Sequence, residues 1–513
     1  MISTVAALRS LRPQPKRETS ESPAVRRDAG CVLSLIRDLC QELDAAEVSY
    51  CHWKSNDALD RSANGENDVD VLVARHDAAR FMEVLARLGF HEVQAVTSRR
   101  IPGILDFYGC DRASGILVHV HAHFQLVVGH DATKNYHLAV ENAYLHSCHH
   151  EGLFPTPAAE FEWIVFIVRM ILKHCTWDVL YLLRQGTLKP AERRELEFLE
   201  QRTDAAKVKR VLQDHFPRLS LALLDYCVEA LHPGSPLSLR RRAGKELMLA
   251  LKPYTRRTRG YDLRKKIYER TWARVANRLW PLRLKKRLAR GGAMVAIIGG
   301  DGAGKSTVIE SLVNWIEGDV ATISVHLGRP RWSATTWVVR ATVKSCRIAT
   351  LPLAKLVRSQ TPPSQELTIG RMIQLVCVAR DRRLAYIRAR RFATNGGIAI
   401  CDRYPIPELK VMDGPEIRQR LISGDAGLLR RLMIAWEESY YPAIRPPEAL
   451  VALRVDPETA VARRWEEDPE PVRTRNAAIN GLTFDKYYGQ IVDAERSREE
   501  VLNEVKAIVW SRL

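Results

Sequence analysis

The sequence predicts an α/β protein: a parallel sheet covered by helices in the C-terminal part, preceded by an α+β domain with a helical extension. Three observations lead there. From Met294 onward, short apolar strands alternate with helical stretches, which implies a helix-covered parallel sheet. The first of these strands, Met294–Ile298, runs straight into glycines. Upstream, residues 29–150 alternate helix-like and strand-like patterns, whereas residues 158–235 read as mostly helical. At about 150 residues per domain, a chain of 513 residues holds three to four domains, or two large ones and a connector. With 46% apolar and 27% charged residues the composition is that of a globular protein, so collagenous, coiled-coil and largely disordered classes drop out.

The elements follow in order. Residues 1–28 carry Pro, Ser and Arg without a long apolar run, which suits a disordered tail and not a secretion signal. Cys31–Leu43 has helical spacing, Asp68–Val73 is a short β-branched run, and Asp77–Gly89 is amphipathic with a glycine cap. Ile116–Val128 reads as a strand. Phe161–Leu172 is the most apolar stretch, yet it is too short to span a bilayer and carries Arg169, so a buried helix is expected. Later strands are Ile323–His326, Gly397–Cys401 and Ala449–Val455. The ten cysteines are scattered singly, without a CxxC pair, as expected of free thiols in a reducing cytoplasm.

The formal charge of +18 is concentrated. Residues 240–290 hold 19 basic residues against Glu246, Asp262 and Glu269, so only +2 remains elsewhere. Two nearly neutral bodies, residues 29–235 and 292–513, are therefore expected on either side of a basic helical connector, residues 236–291. Within Leu263–Leu288, Tyr268, Trp272, Val275 and Leu279 recur at three- and four-residue steps among Arg and Lys, until Pro281 interrupts. The expectation is a stripe packed on the neighbouring domain with its charges solvated. The other reading is an anionic membrane surface, where each nearby basic residue contributes about 1 kcal/mol. No nucleic-acid fold signature accompanies the charge, so nucleic acid is not an expected partner.

The sharpest motif is Gly299-Gly300-Asp301-Gly302-Ala303-Gly304-Lys305-Ser306-Thr307, a GxxxxGK[ST] pattern between an apolar strand and an amphipathic helix, Val308–Trp315. Glycines let the backbone fold around phosphate, so that its N–H groups and the helix N-terminus face the anion. Lys305 is placed to neutralise β- and γ-phosphates, and the Ser306 hydroxyl to ligand Mg²⁺. ATP, with GTP as the lesser choice, is the expected nucleotide.

This loop, with Cys401-Asp402-Arg403-Tyr404 after a later strand, resembles the thymidylate kinase branch of the nucleoside-monophosphate kinases over residues 292–510. The resemblance implies a P-loop fold, ATP and Mg²⁺ as cofactors, and a nucleotide or phosphorylated small molecule as acceptor. It gives Asp402 a place in the metal shell and turns Asp301, Arg403 and Arg382 toward the acceptor, with Arg380 beside Arg382. Arg464, Arg473 and Arg475 fall where that family's lid clamps phosphates. Around Val376–Asp381 the chain lacks the aromatic residue that stacks on thymine there, and Leu409–Gly424 has no counterpart.

The N-terminal half has its own constellation: Cys51-His-Trp-Lys54-Ser55-Asn56, then Gly65-Glu-Asn-Asp68-Val-Asp70-Val-Leu-Val. Strand alternation points Asp68 and Asp70 to one side, so they can share Mg²⁺. Over residues 30–175 this resembles the nucleotidyltransferase fold, which holds a nucleoside triphosphate with a Gly-Ser turn and Asp-x-Asp on a strand. Here Lys54 replaces the glycine, and where a third carboxylate is expected the chain reads Val118-His119-Val-His121-Ala-His123. Eight of the fifteen histidines lie within residues 119–150, and a line along a cavity or a Zn²⁺ site are the two readings of that cluster. The pairing of the two halves resembles bacterial two-domain proteins among polysaccharide-biosynthesis functions. The leading expectation is a cytoplasmic kinase, peripheral to the membrane if the connector binds lipid. Nucleotidyl transfer at Asp68 and Asp70, and a nucleotide-gated scaffold at the membrane, are the alternatives.

Overall fold

The protein is described here from a computed structural model, which describes residues 32–131, 133–150, 152–176, 188–279, 285–356, 367–406, 413–421, 427–484 and 489–513. The expected tail, Pro281 and, within Leu409–Gly424, residues 409–412 and 422–424 lie outside the described residues.

The N-terminal strands are β1 (Tyr50–His52), β2 (Val69–Val73), β3 (His91–Gln94), β4 (Ile104–Cys110) and β5 (Leu117–His123). A small ladder follows, β6 (Val127–Val128) with β7 (Tyr136–His137), and then β8 (Arg287–Leu288). The C-terminal strands are β9 (Ala293–Gly299), β10 (Thr322–His326), β11 (Ile398–Asp402), β12 (Ala449–Arg454) and β13 (Gln490–Asp493). One sheet has the order β1-β2-β5-β4-β3-β8, mixed in direction, and the other the order β10-β11-β9-β12-β13, parallel throughout. β9 and β12 are buried along nearly their whole length, as a sheet covered on both faces requires, and Ile398–Cys401 of β11 is fully apolar inside.

Phe161–Leu172 lies within the helix Ala159–His174, buried on almost every face and surrounded by the helices of the extension. No helix among the described residues is long and apolar enough to cross a membrane. Ile116–Val128 is not one strand: β5 ends at His123 and β6 begins at Val127.

The segment expected as a basic helical connector, residues 236–291, packs into the N-terminal body at both ends. The helix Leu237–Ala250 buries Ala243 and Leu247 in the core of the helical extension. At the other end, β8 pairs antiparallel with β3 and completes the N-terminal sheet. Between them the helix Arg259–Leu279 is anchored by Lys266, buried beside Asp262 (2.9 Å), and by Glu269, which pairs with Arg99 (2.9 Å). The packed-stripe expectation fails: Tyr268, Trp272, Val275 and Leu279 are 49, 53, 49 and 59% exposed.

The two bodies are joined by more than the chain. Val93, Tyr108 and Cys110 of the first sheet share one apolar cluster with Val295, Leu312, Val509 and Trp510 of the second. Trp510 Nε1 donates to the Gly89 carbonyl at 3.0 Å, and its ring meets His91 and Trp315 edge-on. Tyr108 donates its hydroxyl to Asp319 at 2.8 Å. Trp510→Ala removes the side chain that keys this seam. It is expected to cost about 3–5 kcal/mol in urea unfolding, with transitions reported from both sheets shifting together; a shift confined to one sheet would contradict the shared core.

Candidate active site

β9 is the point where the parallel sheet reverses its order, since its neighbours β11 and β12 lead to opposite edges. Open α/β sheets bind ligands at such a point, outside the carboxyl ends of the strands. The glycine-rich motif occupies it. Gly304, with φ +83°, turns the chain into the helix Lys305–Glu317, whose first amides are free to face an anion. Gly300 must lack a side chain, because a Cβ there would stand 1.9 Å from Asn476 Oδ1. Asn476 is buried and ties the loop down, donating Nδ2 to the Asp301 carbonyl (3.0 Å) and to the Val472 carbonyl (2.9 Å).

Cations crowd one carboxylate in this loop. Arg403 Nη2 lies 3.2 Å from Asp301 Oδ1, Arg475 pairs with Asp301 Oδ2, and Lys305 Nζ stands 4.0 Å from Oδ1. Burial would raise the Asp301 carboxyl, but Arg475, Lys305 and Arg403 hold it below the usual carboxylate range. Burial pushes the Lys305 ammonium down to about 8, against the attraction of Asp301 and with reinforcement from Arg403. Lys305 meanwhile donates to the Gly300 carbonyl at 2.5 Å. Arg403 sits at φ +62°, a left-handed conformation uncommon outside glycine and concentrated at functional sites.

Asp402 ends β11 beside this loop. Its Oδ1 is buried with no hydrogen-bond partner among the described residues, and its Oδ2 lies 3.5 Å from His326 Nε2. Ser306 and Asp402 line the same cavity, about 370 Å³, with Glu310, Ser324 and His326. A hydroxyl and a carboxylate that line one cavity are the hard oxygen donors Mg²⁺ prefers, and one carboxylate oxygen lacks a protein partner, so these residues fit that ion. Thr307 is exposed on the same first turn.

Two expected site arginines, Arg382 and Arg473, are committed elsewhere, and Arg464 is tied to a glutamate. Arg382 is buried and spends its guanidinium on the chain itself: Nε to the Leu327 carbonyl (2.8 Å), Nη1 to the Asp413 carbonyl (2.7 Å) and Tyr441 Oη (2.6 Å), Nη2 to the Gly328 carbonyl (3.2 Å). It clamps loops and has no free fork for an acceptor. Arg473 is held at the surface by Glu458 (2.7 Å) and Glu470 (3.3 Å), and Arg464 by Glu467 (3.1 Å). Of the expected lid set Arg475 pairs directly with the loop, and Arg464 is near enough for its charge to press the Lys305 ammonium down. Arg380 is half-buried and makes no hydrogen bond or ion pair among the described residues. Asn476 is the residue that sequence reasoning missed here; it follows Arg475 directly, but only the fold shows it against Gly300.

In the N-terminal domain the structure brings together Asp68, Asp70, His119 and His121, and adds Asp106 of β4, the third carboxylate that the sequence did not reveal. Every one of the three is already paired. Lys54 Nζ lies 2.8 Å from Asp70 Oδ1, which His121 Nδ1 also meets at 3.0 Å. His119 bridges Asp68 (Nδ1, 2.8 Å) and Asp106 (Nε2, 2.9 Å), and Lys286 Nζ reaches Asp106 at 3.1 Å. Burial opposes charge on His119, but Asp106 and Asp68 raise it above its ordinary value. Burial also opposes charge on Asp70, yet Lys54 and His121 hold it well below the carboxylate range. The ring of His123 is fully buried against Trp53 (4.8 Å) with neither nitrogen bonded, and burial drives it well down, toward the neutral form. Ligand-type atoms of Asp70, His121 and His123 come within 4.8 Å of one another, but the Lys54 ammonium already stands where a cation would neutralise Asp70.

No family model matches the sequence. The chain is 26% identical over 226 residues to the uncharacterized ATP-binding protein YghS of Escherichia coli K12, covering 41% of this chain and 89% of that protein. It is 23% identical over 220 residues to the uncharacterized ATP-binding protein YghR of the same strain, covering 42% and 86%. Among solved structures, it is similar to a deoxyadenosine kinase from M. mycoides with bound dATP, at TM-score 0.26, 14% identity and 42% of this chain against 96% of that one. A thymidylate kinase from Candida albicans gives TM-score 0.28 and 16% identity, with 43% and 91% covered.

Arg382→Ala would leave three buried carbonyls and the Tyr441 hydroxyl short of a donor. The expected loss is at least about 3 kcal/mol, read by chemical denaturation of the nucleotide-free protein. An unchanged midpoint would mean that the clamp is not structural.

Proposed function

We propose that the protein is a Mg²⁺-dependent phosphotransferase that passes the γ-phosphoryl of ATP to a nucleotide or another phosphorylated small molecule. The observation that carries this reading is Asp402, with one buried oxygen that has no partner among the described residues, lining one cavity with Ser306 beside a glycine loop whose buried lysine is held on Asp301 only at 4.0 Å. The ATP-binding relatives support the choice of nucleotide.

Phosphoryl transfer asks little covalent help of a protein; positioning and fixed positive charge do most of it. Loop amides and Lys305 hold the β- and γ-phosphates. Ser306 and Asp402 would hold Mg²⁺, which supplies neutralising charge on the phosphate oxygens when bound. Arg403 and Arg475, poised on Asp301 in the free protein, move to the transferring group as its charge develops. Asp301, so released, is free to receive an acceptor hydroxyl.

Lys305→Ala is expected to lower turnover by about 10²- to 10³-fold with the thermal midpoint of the free protein preserved. In the wild type, kcat/KM for ATP should fall as pH rises through about 8, because the free-protein ammonium that meets the phosphates is then lost. ADP release that depends on an acceptor separates a kinase from a nucleotide-binding scaffold, and a wild-type rate in Lys305→Ala would end this reading.

We also propose that the helix Arg259–Leu279 docks on anionic lipid. Its exposed stripe is flanked by Arg264 and Lys265 in a segment of net +16, and apolar area and basic charge add in binding to such a surface. Flotation with vesicles containing 30% phosphatidylserine should recover the protein, neutral vesicles should not, and Trp272→Glu should abolish recovery. Equal recovery on both vesicles would sink it.

A further inference from the structure

The resemblance to nucleotidyltransferases implies two things of the N-terminal half: Mg²⁺ on its carboxylates and a triphosphate on the turn before Asn56. The structure fits neither. The seat for phosphate is taken by a carboxylate, since Glu195 from the helical extension accepts the Ser55 amide (3.0 Å) and the Ser55 hydroxyl (3.3 Å). The seats for metal are taken by protein cations. Lys54, the residue that departs from the family's glycine, covers Asp70; His119, where a carboxylate was expected, sits between Asp68 and Asp106; and Lys286 completes Asp106. A hydrated Mg²⁺ would have to displace an ammonium or an imidazole from every carboxylate it approached.

Beside this neutralised cluster lies a cavity of about 770 Å³, within the range of small-molecule sites. Asp106, His119 and Lys286 form its floor, and Arg100, Lys134 and Arg257 reach its walls. Those last three cations have no ion-pair partner among the described residues. Arg257 rests on the Tyr261 ring (5.1 Å), and Arg100 spends only Nε, on the Ala95 carbonyl (3.0 Å). The Lys134 ammonium makes no hydrogen bond or ion pair among the described residues, and Asp70 and Asp131 act on it only through their charge. The acids at the rim, Glu92 and Asp131, make no ion pair with any of them; Glu92 accepts instead from Gln94 (3.0 Å). So the acids of the floor are satisfied while the cations of the wall are not, and a cation left without a partner in a cavity is a place for an anion.

We infer that this cavity is a second ligand site, which holds a phosphorylated small molecule on Arg100, Lys134 and Arg257 without a divalent metal. It is separate from the β9 crevice and from the Ser55 turn. The site lies next to the C-terminal body, because the carbonyl of Lys286 accepts the amide of Ala321, the residue before β10 (2.8 Å).

Inorganic pyrophosphate in excess EDTA tests it by calorimetry on the full chain. Lys305→Ala, which weakens the β9 site, should still take up one pyrophosphate. Adding Lys134→Gln and Arg257→Gln should weaken that uptake tenfold or more, and Arg100→Gln, on an exposed loop, should weaken it in the same direction without disturbing the fold. No uptake by Lys305→Ala, or uptake that these substitutions leave unchanged, would overturn the site. Mn²⁺ alone, titrated by electron paramagnetic resonance, should bind wild type and Asp70→Asn equally. A Mn²⁺ site lost with Asp70→Asn would overturn the metal-free assignment, and neither arm depends on turnover at the β9 crevice.

Discussion

Asp301 sets the terms for the rest of the C-terminal site. Lys305, Arg403 and Arg475 all point at the mouth of one loop, and without a counter-charge their mutual repulsion would open it. One carboxylate, planted in the loop itself, holds the three together while no ligand is present. Because it is one charge against three, a surplus remains, and Lys305 shows it: burial and a neighbouring guanidinium depress the ammonium more than Asp301 can restore. A polyanion entering the loop meets cations already gathered, so little reorganisation is needed when phosphate arrives. The strained backbone of Arg403 belongs to the same account, since its left-handed turn lets a residue just past β11 reach back across β9 to Asp301.

That arrangement stands only if the loops around it are fixed, and the chain fixes them with side chains that never touch a ligand. Asn476 holds the glycine loop from the helix Pro469–Asn480, the same helix that carries Arg475. Arg382 fastens Leu327 and Gly328, just after β10, to Asp413, and Gly328 in turn packs against Arg403. The helix bearing Arg475 and the loop beside Arg403 are thus set independently, each by a buried amide or guanidinium. Buried polar groups of this kind are costly when unpaired, so once satisfied they specify a single geometry.

What the sequence made legible follows from how local each feature is. The glycine loop, Lys305 and Ser306 are contiguous, and the apolar run of β9 before them marks their context, so chain order alone located them. Asp402 was legible for the same reason, at the end of the apolar run of β11. β3 (His-Glu-Val-Gln) and β13 (Gln-Ile-Val-Asp) were not, because short, half-polar strands carry too little periodicity to stand out. Arg382 misled because arginine near a phosphate site and arginine clamping carbonyls look alike until the acceptors are known. Asp106 and Glu195 were invisible as site residues since their partners lie 13 and 140 positions away. Tyr268 and Trp272 misled in the opposite sense: an amphipathic stripe announces that something covers it, and among the described residues no neighbouring domain does.

The two departures from the nucleotidyltransferase pattern gain meaning together. Taken alone, a lysine for a glycine and histidines for a carboxylate are losses. In the fold, Lys54 falls on Asp70 and His119 falls between Asp68 and Asp106, so the two residues that depart from that pattern pair with the carboxylates that resemble it. Three clustered acids, Asp70 buried, Asp106 half-buried and Asp68 exposed at the rim of β2, would repel one another in the absence of a counter-charge. Lys54 and Lys286 offset that repulsion without a metal, and His119, which the acids hold above its ordinary value, adds to them while it is protonated. A cluster so compensated no longer needs an ion to hold its shape. The cations left over on the cavity wall then set its preference, and they favour an anion that arrives without a metal.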